Sequence, residues 1–395
     1  LVKDNISIDI GTVNAFILGK QHLTGDSRIG SIVRITKDVG GLHATSPTTP
    51  YLSLFARMPG FKKDDLYNEL SIKKTLGKIR CMRKTVFILP KKHIPAAYIA
   101  TKSQVETNTE RFVRYVGVTP EEYHETSNRI MLILKGKGMT TKEIKESLQT
   151  KVNISAIINL MCDRGILVRG SSKSGWKSNA HEYHIFAEYF PDIDLGQIEL
   201  PNAKRKIVEQ YISSFGPVSE ADIAWWTGFT KKDVEQALDV LSDRIATIKI
   251  RDIEGTFIIL SSDMEILNSL ELCEGHNINF LPSLDPYIMG YKERERYLDY
   301  ERYYNVFDRS GNATNTILLD GEVIGVWDFD NQKTPLVKLL FFKKIQLTLM
   351  RKIEEKAEGI GQFIAGKEVE VKRCDSMTPL PQRTAGSHMS PLKDY

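Results

Sequence analysis

A chain of 395 residues exceeds what one compact core holds, because domains run to ~100–200 residues, so several folded units are expected. Hydrophobic residues at 41% and charged residues at 26% exclude wholesale disorder, and no apolar run nears the ~20 residues that a membrane-spanning helix needs. A net charge of +4 with a pI near 8.6 permits nucleic-acid binding without announcing it, so any basic footprint has to be local.

In chain order, helix-forming segments are expected at 29–40, 50–58 and 62–70, then extended runs at 78–82 and 85–89 that make a hairpin with Arg83 and Lys84 at its tip. Residues 41–47 separate the first two helices. In an extended segment His43 and Thr45 share one face, while Leu42 and Ala44 point the other way into the core. A neutral imidazole can orient or deprotonate water, and a hydroxyl beside it can donate or accept a hydrogen bond. The same two residues also fit a structural pair in which Thr45 caps the following helix.

The second stretch predicts helices at 120–134, 142–148 (opened by Thr140 and Thr141) and 155–164. Extended runs at 166–169 and 182–187 follow, around a polar loop that carries Lys173, Trp176 and Lys177. The third stretch is the most regular. A helix at 204–214 precedes Ser219, which caps a helix with Asp222 in its first turn and an end near Gly228. Thr230 caps the next helix, 231–241, where Val234, Ala237, Leu238 and Leu241 share one face. Runs at 245–250 and 256–260 then form a wing around 252–255. Helix, helix, turn, helix and hairpin, met three times, is the winged-helix pattern.

Past residue 280 the rhythm changes. Asp320-Gly321 between 316–319 and 323–327 is a hairpin signal, and residues 343–365 predict a helix that packs through Ile345, Leu349, Ile353 and Ile360. The composition from Ser376 onward is that of an unstructured tail, and 386–389 has the look of a vector remnant. The expected fold class is therefore α+β, with tandem winged-helix modules, a small C-terminal β-rich subdomain and a terminal helix. The expected units are 1–115, 116–200, 201–275, 276–372 and 373–395.

Cys81, Cys162, Cys273 and Cys374 lie far apart without Cys or Cys/His pairing, so reduced thiols are expected, with neither a metal nor a disulfide framework. Together with the absence of a basic and apolar leader this gives a cytoplasmic expectation, nucleoid-associated when bound to DNA. Duplex DNA is the expected partner. Lys231 and Lys232 open the second helix of a helix-turn-helix, where their charge opposes the macrodipole and suits phosphates. Lys173, Trp176 and Lys177 combine charge with a ring that can stack on a base, and Arg83 and Lys84 supply charge at another tip. For Trp176 the bland alternative is a ring folded back on its own hairpin. Of Trp225 and Trp226, adjacent on one helix and about 100° apart, at least one should be core.

Five segments carry a family resemblance: 41–45 leading into 51–57; 80–85; 222–228; 281–286; and 319–327. The chain resembles the winged-helix DNA-binding family that includes the AlkZ- and YcaQ-like alkylpurine and interstrand-crosslink DNA glycosylases. The resemblance implies a DNA-sized cleft and hydrolysis of N-glycosidic bonds of alkylated or crosslinked purines by a monofunctional enzyme without metal or cofactor. In those glycosylases a Gln-aliphatic-Gln or Gln-aliphatic-Asp motif positions water. His43-Ala44-Thr45 occupies that place here, so the resemblance makes His43 and Thr45 the catalytic pair. Segments 284–286 and 308–312 also resemble a broader winged-helix branch, with Asp285 and Arg309 as cleft residues, and Arg57 and Arg309 join the expected DNA contacts. A non-enzymatic DNA binder or transcriptional regulator on the same scaffold is the alternative reading, and protein-interaction modules are a third.

Overall fold

The computed structural model describes residues 7–271, 275–331, 333–382 and 392–393. Strand β1 (Ser7–Ile8) leads into α1 (Ile10–Lys20), a helix ahead of the first segment expected to be helical. Asp9 starts it by accepting from the amides of Gly11 and Thr12, and Val13, Phe16 and Ile17 are buried along it. Next come α2 (Ile32–Asp38), β2 (Leu42–His43), α3 (Thr49–Arg57) and α4 (Lys63–Tyr67), the last prolonged by a wide helical turn at Asn68–Ile72. Helix α2 stops before Gly40 and Gly41, whose φ of 72° and 103° are disfavoured with a side chain. Strands β3 (Leu76–Arg80) and β4 (Val86–Pro90) form the first hairpin, and the 22-residue α5 (Ile94–Tyr115) leaves it.

Helices α6 (Pro120–Leu134), α7 (Thr141–Leu148) and α8 (Ile154–Asp163) follow, with β5 (Met139–Thr140) between the first two. Thr119 with Glu122, and Thr140 with Glu143, close reciprocal caps that satisfy amides at the starts of α6 and α7. The second hairpin, β6 (Leu167–Ser172) and β7 (His181–Ile185), ends in the short α9 (Phe186–Tyr189). The two hairpins are not separate. Lys78 on β3 pairs with Arg169 on β6, joining them into one six-stranded sheet of order β2-β4-β3-β6-β7-β5. That sheet crosses the boundary expected at 115/116.

Helices α10 (Leu200–Phe215), α11 (Glu220–Thr227) and α12 (Lys231–Val240) precede the hairpin of β8 (Ile245–Ile250) and β9 (Ile253–Leu260), to which β1 adds in parallel. Both expected caps are present: Ser219 with Asp222, and Thr230 with Asp233. Gly228, at φ 74°, ends α11 in the left-handed conformation.

After α13 (Ser261–Asn268), strands β10 (Ile278–Leu281), β11 (Thr316–Leu319), β12 (Glu322–Asp330) and β13 (Leu336–Phe341) pair antiparallel in chain order. The β10–β11 connection carries the short α14 (Tyr303–Val306). Asp320 and Gly321 both take positive φ, as a two-residue hairpin turn requires. Helix α15 (Leu347–Ala365) buries Ile353, Ala357 and Ile360 in a core with Trp327, Val337 and Leu339, and β14 (Glu370–Arg373) closes the sheet in parallel with β13.

The tail departs from expectation. β15 (Ser376–Met377) pairs with β16 (Leu392–Lys393), Leu380 is buried, and Leu392 and Met377 pack on the main core. Residues 386–389 and Cys273 lie outside the described residues. Cys81 and Cys162 are buried free thiols, and Cys374 is buried as well. Among the described residues no helix is long and apolar enough to cross a membrane.

Candidate active site and nucleic-acid interface

The segment between α2 and α3 is held against β4. Leu42 and His43 pair with Ile88 and Phe87, and the Ala44 amide donates to the Val86 carbonyl at 2.8 Å. Glycine suits position 41 because its φ of 103° is strained for any side chain, and a Cβ would also press on Leu89 and Phe87. Leu42 and Ala44 enter the core with Leu54 and Ile88. His43 and Thr45 turn to the other side, as the alternation of an extended chain dictates.

His43 is buried and Thr45 exposed, so the imidazole sits below the hydroxyl. The Phe87 ring lies 4.7 Å from the imidazole, centroid to centroid. Thr85 Oγ1 is 3.4 Å from His43 Nε2 and itself donates to the Met82 carbonyl at 3.1 Å. That oxygen is therefore left to accept, which places the ring proton on Nε2. Nδ1 then carries the lone pair, 3.5 Å from Thr45 Oγ1 on the exposed side. Burial pushes the imidazole down to about 3, with the Arg83 charge adding to the effect, so His43 is neutral near pH 7. Thr45 does not cap the next helix: Thr48 holds the N-cap position of α3, without a side-chain cap bond.

The β3–β4 tip carries Arg83 and Lys84, both at positive φ. Lys84 is exposed, whereas Arg83 turns inward and lays its guanidinium 4.2 Å from the centre of the Trp225 ring. Trp226 is the buried member of the pair, packed on Phe87, Tyr211 and Phe215. The end of α11 meets the same tip, since a Cβ on Gly228 would lie 3.7 Å from the Arg83 amide nitrogen. Lys231 and Lys232, three and four residues further on, are exposed at the start of α12, Lys231 lying 3.7 Å from Glu235. Arg309 is exposed on a turn that Asp308 closes by accepting from the amides of Ser310 and Asn312. That turn touches Arg294, whose Nη2 donates to the Gly311 carbonyl at 3.2 Å.

Other expected contacts have different roles. Arg57 and Asp285 are both fully buried and paired with each other, so neither reaches a cleft or a phosphate. A guanidinium and a carboxylate this far from water persist only when they neutralise one another. Trp176 neither projects outward nor folds onto its own hairpin. It packs 5.5 Å from Tyr51 and 5.8 Å from Phe363, with the Lys63 ammonium over its face. Lys173 is held by Glu143 and Glu182, each at 3.2 Å, while Lys177 is exposed beside Trp176. His43, Thr45, Arg83 and Lys84 thus share one place, and the 173–177 loop packs over α3 and α15, where Gly175 and Trp176 line a small cavity with Ala44, Ser46 and Pro47. Thr85 and Arg294 escaped sequence reading. Thr85 stood beside a tip chosen for its charge, and Arg294 alternates with acidic residues that mask it. Among the described residues no cluster of three or more His, Cys, Asp or Glu is placed to hold a metal ion.

A family model described as DNA glycosylase AlkZ-like matches residues 36–363. Among solved structures, the Streptomyces sahachiroi DNA glycosylase AlkZ superposes with a TM-score of 0.73 at 20% identity, covering 93% of this chain and 100% of that one, a likeness of fold. No curated protein matches the sequence.

Proposed function

The chain belongs to the AlkZ-like DNA glycosylase family, and from that premise we propose that it hydrolyses the N-glycosidic bond of alkylated or crosslinked purines in duplex DNA, with His43 and Thr45 holding the attacking water. The helix–helix–hairpin units are read as winged helices that present the exposed Lys84, Lys231, Lys232 and Arg309 to the backbone, with Arg83 set inward beside Lys84. The observation that carries the reading is the buried His43 imidazole set between two hydroxyls, Thr85 Oγ1 3.4 Å from Nε2 and the exposed Thr45 Oγ1 3.5 Å from Nδ1.

An N7-alkylated purine is cationic and leaves without help from a general acid. The protein's task is then to orient water toward the oxocarbenium-like sugar carbon. Nδ1 accepts one water proton and Thr45 Oγ1 fixes a second direction. With its basicity depressed, His43 works first by orientation. It takes the proton only as the water oxygen bonds to the anomeric carbon and becomes strongly acidic. The base departs as a neutral purine, and the proton ends on Nδ1 before passing to solvent. Thr45 is shorter than the amide in the glycosylase motif, so the water sits nearer the backbone of β2.

The test is base release from duplexes that contain N7-methylguanine or a purine crosslink, comparing the protein with His43→Ala. Release that collapses in a folded, DNA-binding variant supports the reading. DNA binding with no release from either substrate overturns it in favour of a non-enzymatic DNA binder, a role that the exposed Lys231 and Lys232 would serve equally.

A further inference from the structure

Three inward-turned guanidiniums meet a carboxylate, Arg57 with Asp285, Arg80 with Asp163 and Arg296 with Asp222, and buried Arg169 donates to the Asn159 side chain instead. Arg83 and Arg294 are the contrast. Their guanidinium carbons lie 4.2 and 5.6 Å from the centre of the same Trp225 ring, and neither has an ion-pair partner among the described residues. Arg294 is 8% exposed, stacks 3.5 Å over Phe307 and donates to the Tyr303 hydroxyl at 2.6 Å. Its Nε, and Nε and Nη2 of Arg83, meet no hydrogen-bond partner among the described residues.

This arrangement is built. Asp222 on α11 accepts from the amides of Lys292 at 2.8 Å and Glu293 at 3.2 Å, fixing the backbone beside Arg294 to the helix that carries Trp225. Arg83 comes to the same ring from the β3–β4 tip. Two cations converging without a counter-charge are costly unless an anion joins them, and the planar donor forks of two arginines match phosphate oxygens. The Trp225 ring that both approach holds the guanidiniums by cation–π contact.

We propose that Arg83 and Arg294, braced by Trp225, clamp a single phosphodiester of the DNA strand beside His43. The inference rests on duplex DNA being the ligand and does not require base excision. It also links binding to chemistry. The Arg83 charge is one of the two influences that hold His43 neutral, so a phosphate that offsets it leaves Nδ1 a better proton acceptor when DNA is bound.

The test is duplex affinity across a salt series for Arg83→Gln, Arg294→Gln and the double variant, repeated on duplexes with one methylphosphonate at successive positions. Each single variant should lower the slope of log affinity against log salt by about 0.9, and the double no further, because one phosphate is shared. One neutral position should weaken the wild type about tenfold and leave the variants unmoved. A double variant that loses about twice the slope, or no position that distinguishes wild type from variants, overturns the clamp. Should Arg294→Gln fail to fold, Arg83→Gln with the same methylphosphonate set decides alone. If these results hold while no lesion is released, the clamp stands and the glycosylase reading falls. If no duplex binds at low salt, inorganic phosphate decides: a thermal shift in the wild type that Arg83→Gln lacks supports the clamp, and no shift removes it.

Discussion

Arg57 and Asp285 form a two-pronged ion pair with no exposure to solvent: Nη1 donates to Oδ2 and Nη2 to Oδ1, each at 2.8 Å. Ser53 donates to the same carboxylate at 2.7 Å, and Arg57 Nε donates to the Gln21 carbonyl at 2.9 Å. The pair binds α3, and with it the His43 segment just before, to the chain leaving β10. Segment 284–286 is therefore a clamp for the architecture beneath the site.

Removing one member should leave the other charged, buried and alone. Asp285→Ala or Arg57→Met is expected to lose about 3–5 kcal/mol in denaturant unfolding, whereas Arg57→Met with Asp285→Leu should recover much of it. A single variant as stable as the wild type would show that water reaches the pair.

For His43 the orienting role predicts an order among substitutions. His43→Ala should slow single-turnover base release by about 100-fold. His43→Gln, which keeps a hydrogen-bonding group of the kind found in the related glycosylases, should stay within about tenfold of wild type. Equal loss in both variants would point to proton acceptance as the whole of its contribution.

Stability should register the same burial. An unfolded histidine titrates near 6.5, while folded His43 takes its proton only around 3. Between those values the unfolded chain binds the extra proton, so stability falls as pH falls, by up to about 1.4 kcal/mol per unit. His181 is also pushed down to about 3, so the wild-type curve alone is not diagnostic. The stability difference between wild type and His43→Asn, measured from pH 6.5 to 4, should shift steadily in favour of the variant; a constant difference would contradict a buried neutral His43.

The 173–177 loop predicts an asymmetry. Lys173 is held by two carboxylates, and Lys177 is exposed next to a docked Trp176. If this loop touches DNA, Lys177→Ala should flatten the salt dependence of binding more than Lys173→Ala does. The reverse order would mean that Lys173 leaves Glu143 and Glu182 to reach a phosphate.

Elements governed by near neighbours were legible. The caps at Thr140, Ser219 and Thr230, the Asp320-Gly321 turn and the opposed faces of 42–45 all follow from residues within four positions of one another. Helix α1 was missed because its apolar residues nearly encircle it, giving no face to detect. In the described part of the tail composition misled because it averages over a few side chains, and Met377 and Leu392 pack on the main core.

The candidate site divides along the same line. Sequence determined that His43 and Thr45 share a face and that Arg83 and Lys84 crown a hairpin, since pleat and turn geometry act over a few residues. Only the tertiary structure decided that Lys78 pairs with Arg169 to fuse two hairpins, that Arg57 meets Asp285 across 228 positions, and that Arg294 comes to the ring already holding Arg83. Such encounters depend on where the chain returns after long excursions. Local propensity carries no information about that return, and the burial that turns Arg57 inward and leaves Arg83 without a counter-charge exists only once it is made.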